Sequence, residues 1–215
     1  MIFAAALAVF PQQGREARTP TTDETVAVAR GARLTVENFA GEVVIKAWER
    51  DSLRVQARHD SRAKVNIRTT AAGVAIRTDN QARGSVDYEI SAPAWMAIKV
   101  VGTYNFITVE GSQSEVSAET TRGDVVIKGG TGSIVARSIQ GEVIVEGVRG
   151  RLTASSINEG VRITGASGDI SAESTNGDIT LTQIKSQNVE VSTINGDVQF
   201  DGQLTDRGRY RFTTH

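Results

Sequence analysis

From Glu24 onward apolar and polar residues alternate along the chain, as in Val26/Val28, Leu34/Val36, Val43/Ile45 and Leu53/Val55. The alternation continues through Val65/Ile67, Val74/Ile76, Val86/Tyr88/Ile90 and Ile98/Val100. Successive side chains of a strand point to opposite faces, so the pattern predicts strands with one buried face. No window of comparable length carries the spacing of an amphipathic helix. Between Glu115 and Gly202 the strands also repeat, and a turn position recurs at Gly123, Gly141, Glu159, Gly177 and Gly196. The intervals are 18, 18, 18 and 19 residues. A fixed period near 20 residues marks a solenoid, whose units bury their apolar faces only against their neighbours.

Aligning the repeats gives the expected cross-section. Val116, Ile134, Leu152, Ile170 and Val189 form one inward column, and Ala118, Ala136, Ala154, Ala172 and Val191 form the next. After the turn come Val125, Val143, Val161, Ile179 and Val198, then Ile127, Val145, Ile163, Leu181 and Phe200. Rows that follow one another in the same direction pair in parallel, roughly 4.8 Å apart. The predicted fold is all-β: a parallel β-solenoid (β-helix) with two short strands per coil of about 18 residues. Right-handed winding is expected, because parallel crossovers almost always take that hand.

The register extends upstream, since Ile98 lies 18 residues before Val116 and Asn105 lies 18 before Gly123. Residues 98–215 are therefore read as the regular array, and 24–97 as either irregular N-terminal coils or a β-cap. Pro93 in Ala92-Pro93-Ala94 marks the boundary, because proline cannot donate within a sheet. Residues 11–23 read as a linker rich in Gln, Thr, Pro and charge. The apolar run at 1–10, MIFAAALAVF, is too short for a membrane span, which takes roughly 20 residues. With Ala6-Leu7-Ala8 resembling a cleavage site, it reads as a signal-peptide remnant.

Composition narrows the function classes. Lys plus Arg (24) nearly cancels Asp plus Glu (25), so no basic field exists for nucleic acid. The absence of cysteine removes disulfides and thiolate metal sites. Gly at 21 residues against Pro at 3 suits many strands joined by glycine turns.

Candidate chemistry yields to structural readings. Arg122-Gly123-Asp124 spells an integrin-binding tripeptide, yet Asp124 shares its column with Glu142, Asp178 and Asp197. The turn glycines are expected to supply positive φ, and the carboxylates to keep the sheet soluble. Calcium needs six to eight oxygens, whereas this acidic column is broken by Phe106 and Gly160. Thr120, Ser138, Ser156, Ser174 and Thr193 are expected to satisfy backbone groups at the corner. Asn158, Asn176 and Asn195 are expected to form an amide ladder. The shifted glycine in Asn158-Glu159-Gly160 predicts a local bulge. Glu119 with Arg137 and Lys128 with Glu146 read as pairs across adjacent coils. The only histidines, His59 and His215, lack a supporting motif. No catalytic, cofactor-binding or metal-binding residue is therefore assigned, and no cofactor is expected.

The recurring pattern in Ser174–Leu181 and Thr193–Phe200 resembles the bacterial "putative adhesin" domain family, whose function is uncharacterised. Tyr88-Glu89-Ile90-Ser91-Ala92-Pro93 and Asn38-Phe39-Ala40-Gly41-Glu42-Val43 also resemble that family. The resemblance covers residues 25–215 and implies an exported β-solenoid without an established enzymatic activity. The resulting expectation is a non-enzymatic scaffold or adhesin-like binding module of the periplasm or cell surface. Its partners would be an envelope protein or polysaccharide, with no nucleic acid and no transmembrane span. A carbohydrate-active β-helix enzyme, of polysaccharide lyase or hydrolase type, is the alternative. Tyr210, Phe212 and Thr214 continue the columns of Val189, Val191 and Thr193, 21 residues on. The chain then stops halfway round a coil, which predicts end-to-end self-association or a longer parent chain.

Overall fold

The alternation of apolar and polar positions becomes two facing sheets wound from one strand path. The computed structural model describes residues 22–59, 63–79 and 84–214. The apolar run at 1–10, residues 11–21 of the expected linker and His215 lie outside the described residues. The first strands are β1 (Thr22–Ala27), β2 (Arg33–Trp48), β3 (Ser52–Arg58), β4 (Val65–Thr70), β5 (Gly73–Thr78) and β6 (Asp87–Pro93). The array follows with β7 (Ala97–Glu110), β8 (Val116–Arg122), β9 (Val125–Lys128), β10 (Thr131–Gln140), β11 (Val143–Glu146) and β12 (Arg149–Ser156). It closes with β13 (Val161–Thr164), β14 (Ser167–Ser174), β15 (Ile179–Thr193), β16 (Val198–Gly202) and β17 (Arg209–Thr214).

One sheet, here sheet I, stacks β7, β8, β10, β12, β14, the second half of β15 and β17 in parallel. Sheet II stacks the later half of β7 with β9, β11, β13, the first half of β15 and β16. The chain is a parallel β-solenoid of about six turns with about 18 residues per turn. The register is the one the repeats predict: Ile98 opposes Val116, Ile134 opposes Leu152, and Val143 lies between Val125 and Val161. At the far end Tyr210 opposes Val189, and Phe212 opposes Val191.

The core is the space between the sheets. Val116, Ile134, Leu152, Ile170 and Val189 are at most 3% exposed, and the alanines beside them are fully buried. Each large aliphatic contributes about 1.5–3 kcal/mol when fully buried.

Residues 22–97 follow a less direct path. The long strand β2 belongs to the solenoid, with Leu34 opposing Ile98 in sheet I and Val43 opposing Ile107 in sheet II. On its other side lie β5 and β6, also parallel, although they come later in the chain than β2 and before β7. Beyond them, β4 pairs antiparallel with β5, and β3 with β6, while β1 pairs antiparallel with β3. These antiparallel strands close the N-terminal end of the stack. A buried polar chain stands behind this end: Thr78 donates from Oγ1 to Asn38 Oδ1 at 2.7 Å, and its hydroxyl lies 2.9 Å from that of Tyr88. Asn38 in turn donates to the Val86 carbonyl. Burial pushes the Tyr88 phenol above its ordinary range, while the hydrogen bond with Thr78 opposes the shift.

Two local expectations need correction. The bulge expected at Asn158-Glu159-Gly160 does not form, because Ser156 still opposes Ser174 and Val161 opposes Ile179. The register instead steps between Ser167 opposite Lys185 and Asp169 opposite Asn188, which absorbs the extra residue of the longer repeat. Ser186 sits in that step and donates to the Gly168 carbonyl, so the added residue is anchored to the preceding coil.

The turn glycines also serve a different need from the one expected. In that column Gly123 has φ 112°, whereas Gly141, Gly177 and Gly196 are not in the left-handed region. A Cβ on Gly141 would instead overlap the Gly123 carbonyl of the preceding coil. Left-handed backbone is concentrated at the opposite corner, where Gly129, Gly147 and Gly165 have φ of 63°, 65° and 65°. Gln183 takes the equivalent place in the next coil with φ 55°.

This division predicts opposite behaviour at the two corners. Gly141→Ala should destabilise more than Gly147→Asn, because the former needs carbonyls of adjacent coils to separate. Asn tolerates the left-handed region, and a side chain already stands there at Gln183. Urea unfolding of both variants provides the check; a larger loss for Gly147→Asn would contradict the assignment. The inside–outside register is tested by Val143→Asp and Ile144→Asp. Val143 is fully buried while Ile144 is half-buried on the outer face. An unpaired carboxylate at Val143 should cost several kcal/mol and abolish the far-ultraviolet β signal. Ile144→Asp should keep it.

Candidate functional site

The polar residues of the turns are the first place to look for chemistry, and hydrogen bonds between coils account for most of them. Ser138, Ser156, Ser174 and Thr193 donate their hydroxyls to the carbonyls of Gly123, Gly141, Glu159 and Gly177, at 2.9–3.0 Å. Each bond joins the end of a sheet I strand to the turn of the preceding coil. The asparagine ladder forms as expected: Asn195 donates to Asn176 Oδ1 at 3.0 Å, and Asn176 donates to Asn158 Oδ1 at 3.2 Å. Asn158 donates to the Ile139 carbonyl.

The acidic column is also tied to the backbone. The Glu142 N–H donates to Asp124 Oδ1, and the Asp197 N–H donates to Asp178 Oδ1, both at 2.8 Å. The same arrangement recurs in the first coils, where the Glu42 N–H donates to Asp87 Oδ1 at 3.0 Å. In Arg122-Gly123-Asp124 the aspartate therefore faces the next coil, and the Arg122 guanidinium lies 5.4 Å from the Tyr104 ring centre. Among the described residues no group of three acidic or imidazole side chains is placed to hold a metal ion.

The expected cross-coil ion pairs are corrected by the geometry. Lys128 pairs at 3.8 Å with Glu110 of the preceding coil and not with Glu146. Arg137 opposes Glu119 in the register, but Glu119 accepts from the Ser117 hydroxyl at 3.2 Å and forms no ion pair with it. Arg162 instead pairs with Glu142 at 2.9 Å. A one-coil neighbour can be met above or below, and repeat spacing does not choose between them. His59 lies 3.3 Å from the Thr22 hydroxyl, on the capping strands.

Hollows among the described residues open on the outer face of sheet I. One, of about 920 Å³, lies near its C-terminal end between Arg151, Asp169, Asn188, Glu190 and the start of β17. Its acidic groups are engaged: Asp169 accepts from Asn188 at 2.7 Å, and Glu190 pairs with Arg211 at 3.7 Å. Another, of about 590 Å³, crosses β5, β2 and β7 and is bounded by Thr35, Glu37, Phe39, Arg77, Lys99 and Thr103. Arg77 pairs with Glu37 at 2.9 Å across it. Repeat analysis missed this groove, because β2 lies between strands that are not its neighbours in sequence. The signal available was aromatic: Phe39 and Tyr104 stand at a corner where later coils carry Thr, Ile, Arg, Gln or Asn.

No family model matches the chain, and no curated protein matches it. Solved structures of similar arrangement include a "putative cell adhesion protein" from Clostridium sporogenes, at TM-score 0.35 and 7% identity, covering 90% of this chain and 99% of that one. A "putative adhesin" from Parabacteroides distasonis is similar at TM-score 0.31 and 10% identity, covering 90% and 96%. Another from Parabacteroides merdae is similar at TM-score 0.33 and 11% identity, covering 89% and 95%. Among the described residues no helix is long and apolar enough to cross a membrane.

Proposed function

We propose that the chain is a non-enzymatic β-solenoid that serves as a scaffold or adhesin-like binding module, exported to the periplasm or cell surface. The observation that supports this reading is how its carboxylates are used. Asp124 and Asp178 accept backbone N–H groups of adjacent coils, and Glu37 and Glu190 are each paired with an arginine across an open hollow. Glycoside hydrolysis needs two free carboxyl groups roughly 5–9.5 Å apart across a cleft. Among the described residues, Glu37 is the one carboxylate lining its groove. Export is supported by the apolar run at 1–10, and the absence of cysteine is compatible with it.

The expected partners are an envelope protein or polysaccharide. Self-association belongs to the same proposal: Val198, Phe200, Tyr210 and Phe212 form a partly exposed apolar end, with Phe200 and Phe212 ring centres 5.2 Å apart. A tagged form of the chain, incubated with native envelope fraction, should retain a component that excess untagged chain displaces. No displaceable component, together with release of reducing ends from envelope polysaccharide, would establish the enzymatic alternative. Light scattering of the same protein should show concentration-dependent dimers that Phe212→Ser weakens; a monomer at all concentrations would remove the self-association.

A further inference from the structure

We propose that the groove crossing β5, β2 and β7 binds an oligosaccharide containing an acidic sugar. This names a ligand class for the binding module proposed above and rests on that reading.

The first observation is where the aromatic rings stand. The core columns of the array are aliphatic, so stacking the coils does not require rings at the corner. Yet Tyr104 is 45% exposed, and Phe39 borders the groove half-buried. The Phe39 and Tyr104 rings meet edge to face, with centres 5.4 Å apart. Arg122 lies against the Tyr104 ring from the next coil. Phe39 is thus a wall with a fixed support behind it, and a ring held in this way offers an apolar face to the C–H face of a sugar.

The second observation concerns the polar groups beside that wall. Glu37 and Arg77 form an ion pair whose side chains are both solvent-exposed. Such exposed pairs contribute little to folding, so stability does not explain their position. Together with Thr35 and Thr103 they supply donors and acceptors suited to sugar hydroxyls. Lys99 also borders the groove and has no ion-pair partner among the described residues. Because Glu37 already balances Arg77, Lys99 leaves one net positive charge among the described lining residues, which favours a carboxylate on the ligand.

The third observation is the floor. Backbone groups of β2 are paired on one side with β5 over Arg33–Glu37 and on the other with β7. With both flanks paired, β2 cannot add a peptide strand in this groove. Recognition here must use side chains and a ring face. The volume, about 590 Å³, lies within the usual range of small-ligand sites, roughly 300–1,000 Å³.

The test is binding of the 215-residue chain to an array of neutral hexose, N-acetylhexosamine and uronic-acid-containing oligosaccharides. Saturable binding to the uronic-acid set is expected, weakening as salt rises. Phe39→Ala and Lys99→Ala should each weaken it at least about tenfold, with the melting temperature unchanged in Lys99→Ala and the far-ultraviolet β signal retained in Phe39→Ala. Phe106→Ala, on the sheet II side of the corner, should bind normally. Absence of glycan binding, or binding that persists in Phe39→Ala and Lys99→Ala, would overturn the proposal. Preference for neutral glycans, or a displaceable envelope protein captured only when Phe39 is present, would also overturn it. An unaltered envelope interaction in both groove variants would leave the binding-module reading standing while removing this groove from it.

Discussion

A rise of one strand spacing per coil, about 4.8 Å, is the constraint from which the other features of this protein follow. At that spacing a turn in one coil lies directly against the turn of the next. Gly141 has no room for a Cβ beside the Gly123 carbonyl, and Gly177 and Gly196 are similarly crowded. The same closeness brings the hydroxyls of Ser138, Ser156, Ser174 and Thr193 within reach of carbonyls one coil away. It also turns three asparagines into a continuous ladder. Backbone pairing sets the rise, and the rise dictates which residues the corners tolerate.

The polar columns of the turns consequently hold neighbouring coils together. An aspartate just after the turn can catch the backbone N–H of the residue one coil on, as Asp124 and Asp178 do. The arginine-glycine-aspartate tripeptide is one instance of this corner chemistry. Surface ion pairs such as Lys128 with Glu110 add little by themselves. The stack is held mainly by the aliphatic columns and the parallel ladders.

The N-terminal end departs from the plain winding. There β2 is flanked by β5 and β6 on one side and β7 on the other, and antiparallel strands close the stack. A terminal unit of a solenoid needs a covered edge, since unpaired strand edges recruit other chains. The buried Asn38–Thr78–Tyr88 hydrogen bonds fix the corner where this exchange occurs. The exposed rings and the smaller groove lie beside that corner, where departure from the repeat leaves room for a different surface.

The period of 18 residues determined much of this by itself. It gave the strand positions, the inward columns and their parallel register as far as Tyr210 and Phe212. Those features depend only on side-chain alternation and repeat length, both properties of a linear pattern. The hydroxyl and amide ladders were legible for the same reason, because residues one period apart must be neighbours. Tertiary structure alone decided which way Lys128 pairs, since the coils above and below stand at equal distance in the repeat. It placed the register step at Ser186, where local bonding to Gly168 accommodates the extra residue. It also inserted β2 between later strands, an arrangement set by burial of apolar faces between segments far apart in the chain. The groove formed by β5, β2 and β7 exists only through that insertion. Periodicity encodes contacts between successive coils; contacts made out of sequence carry no period and emerge only when the sheets close on one another.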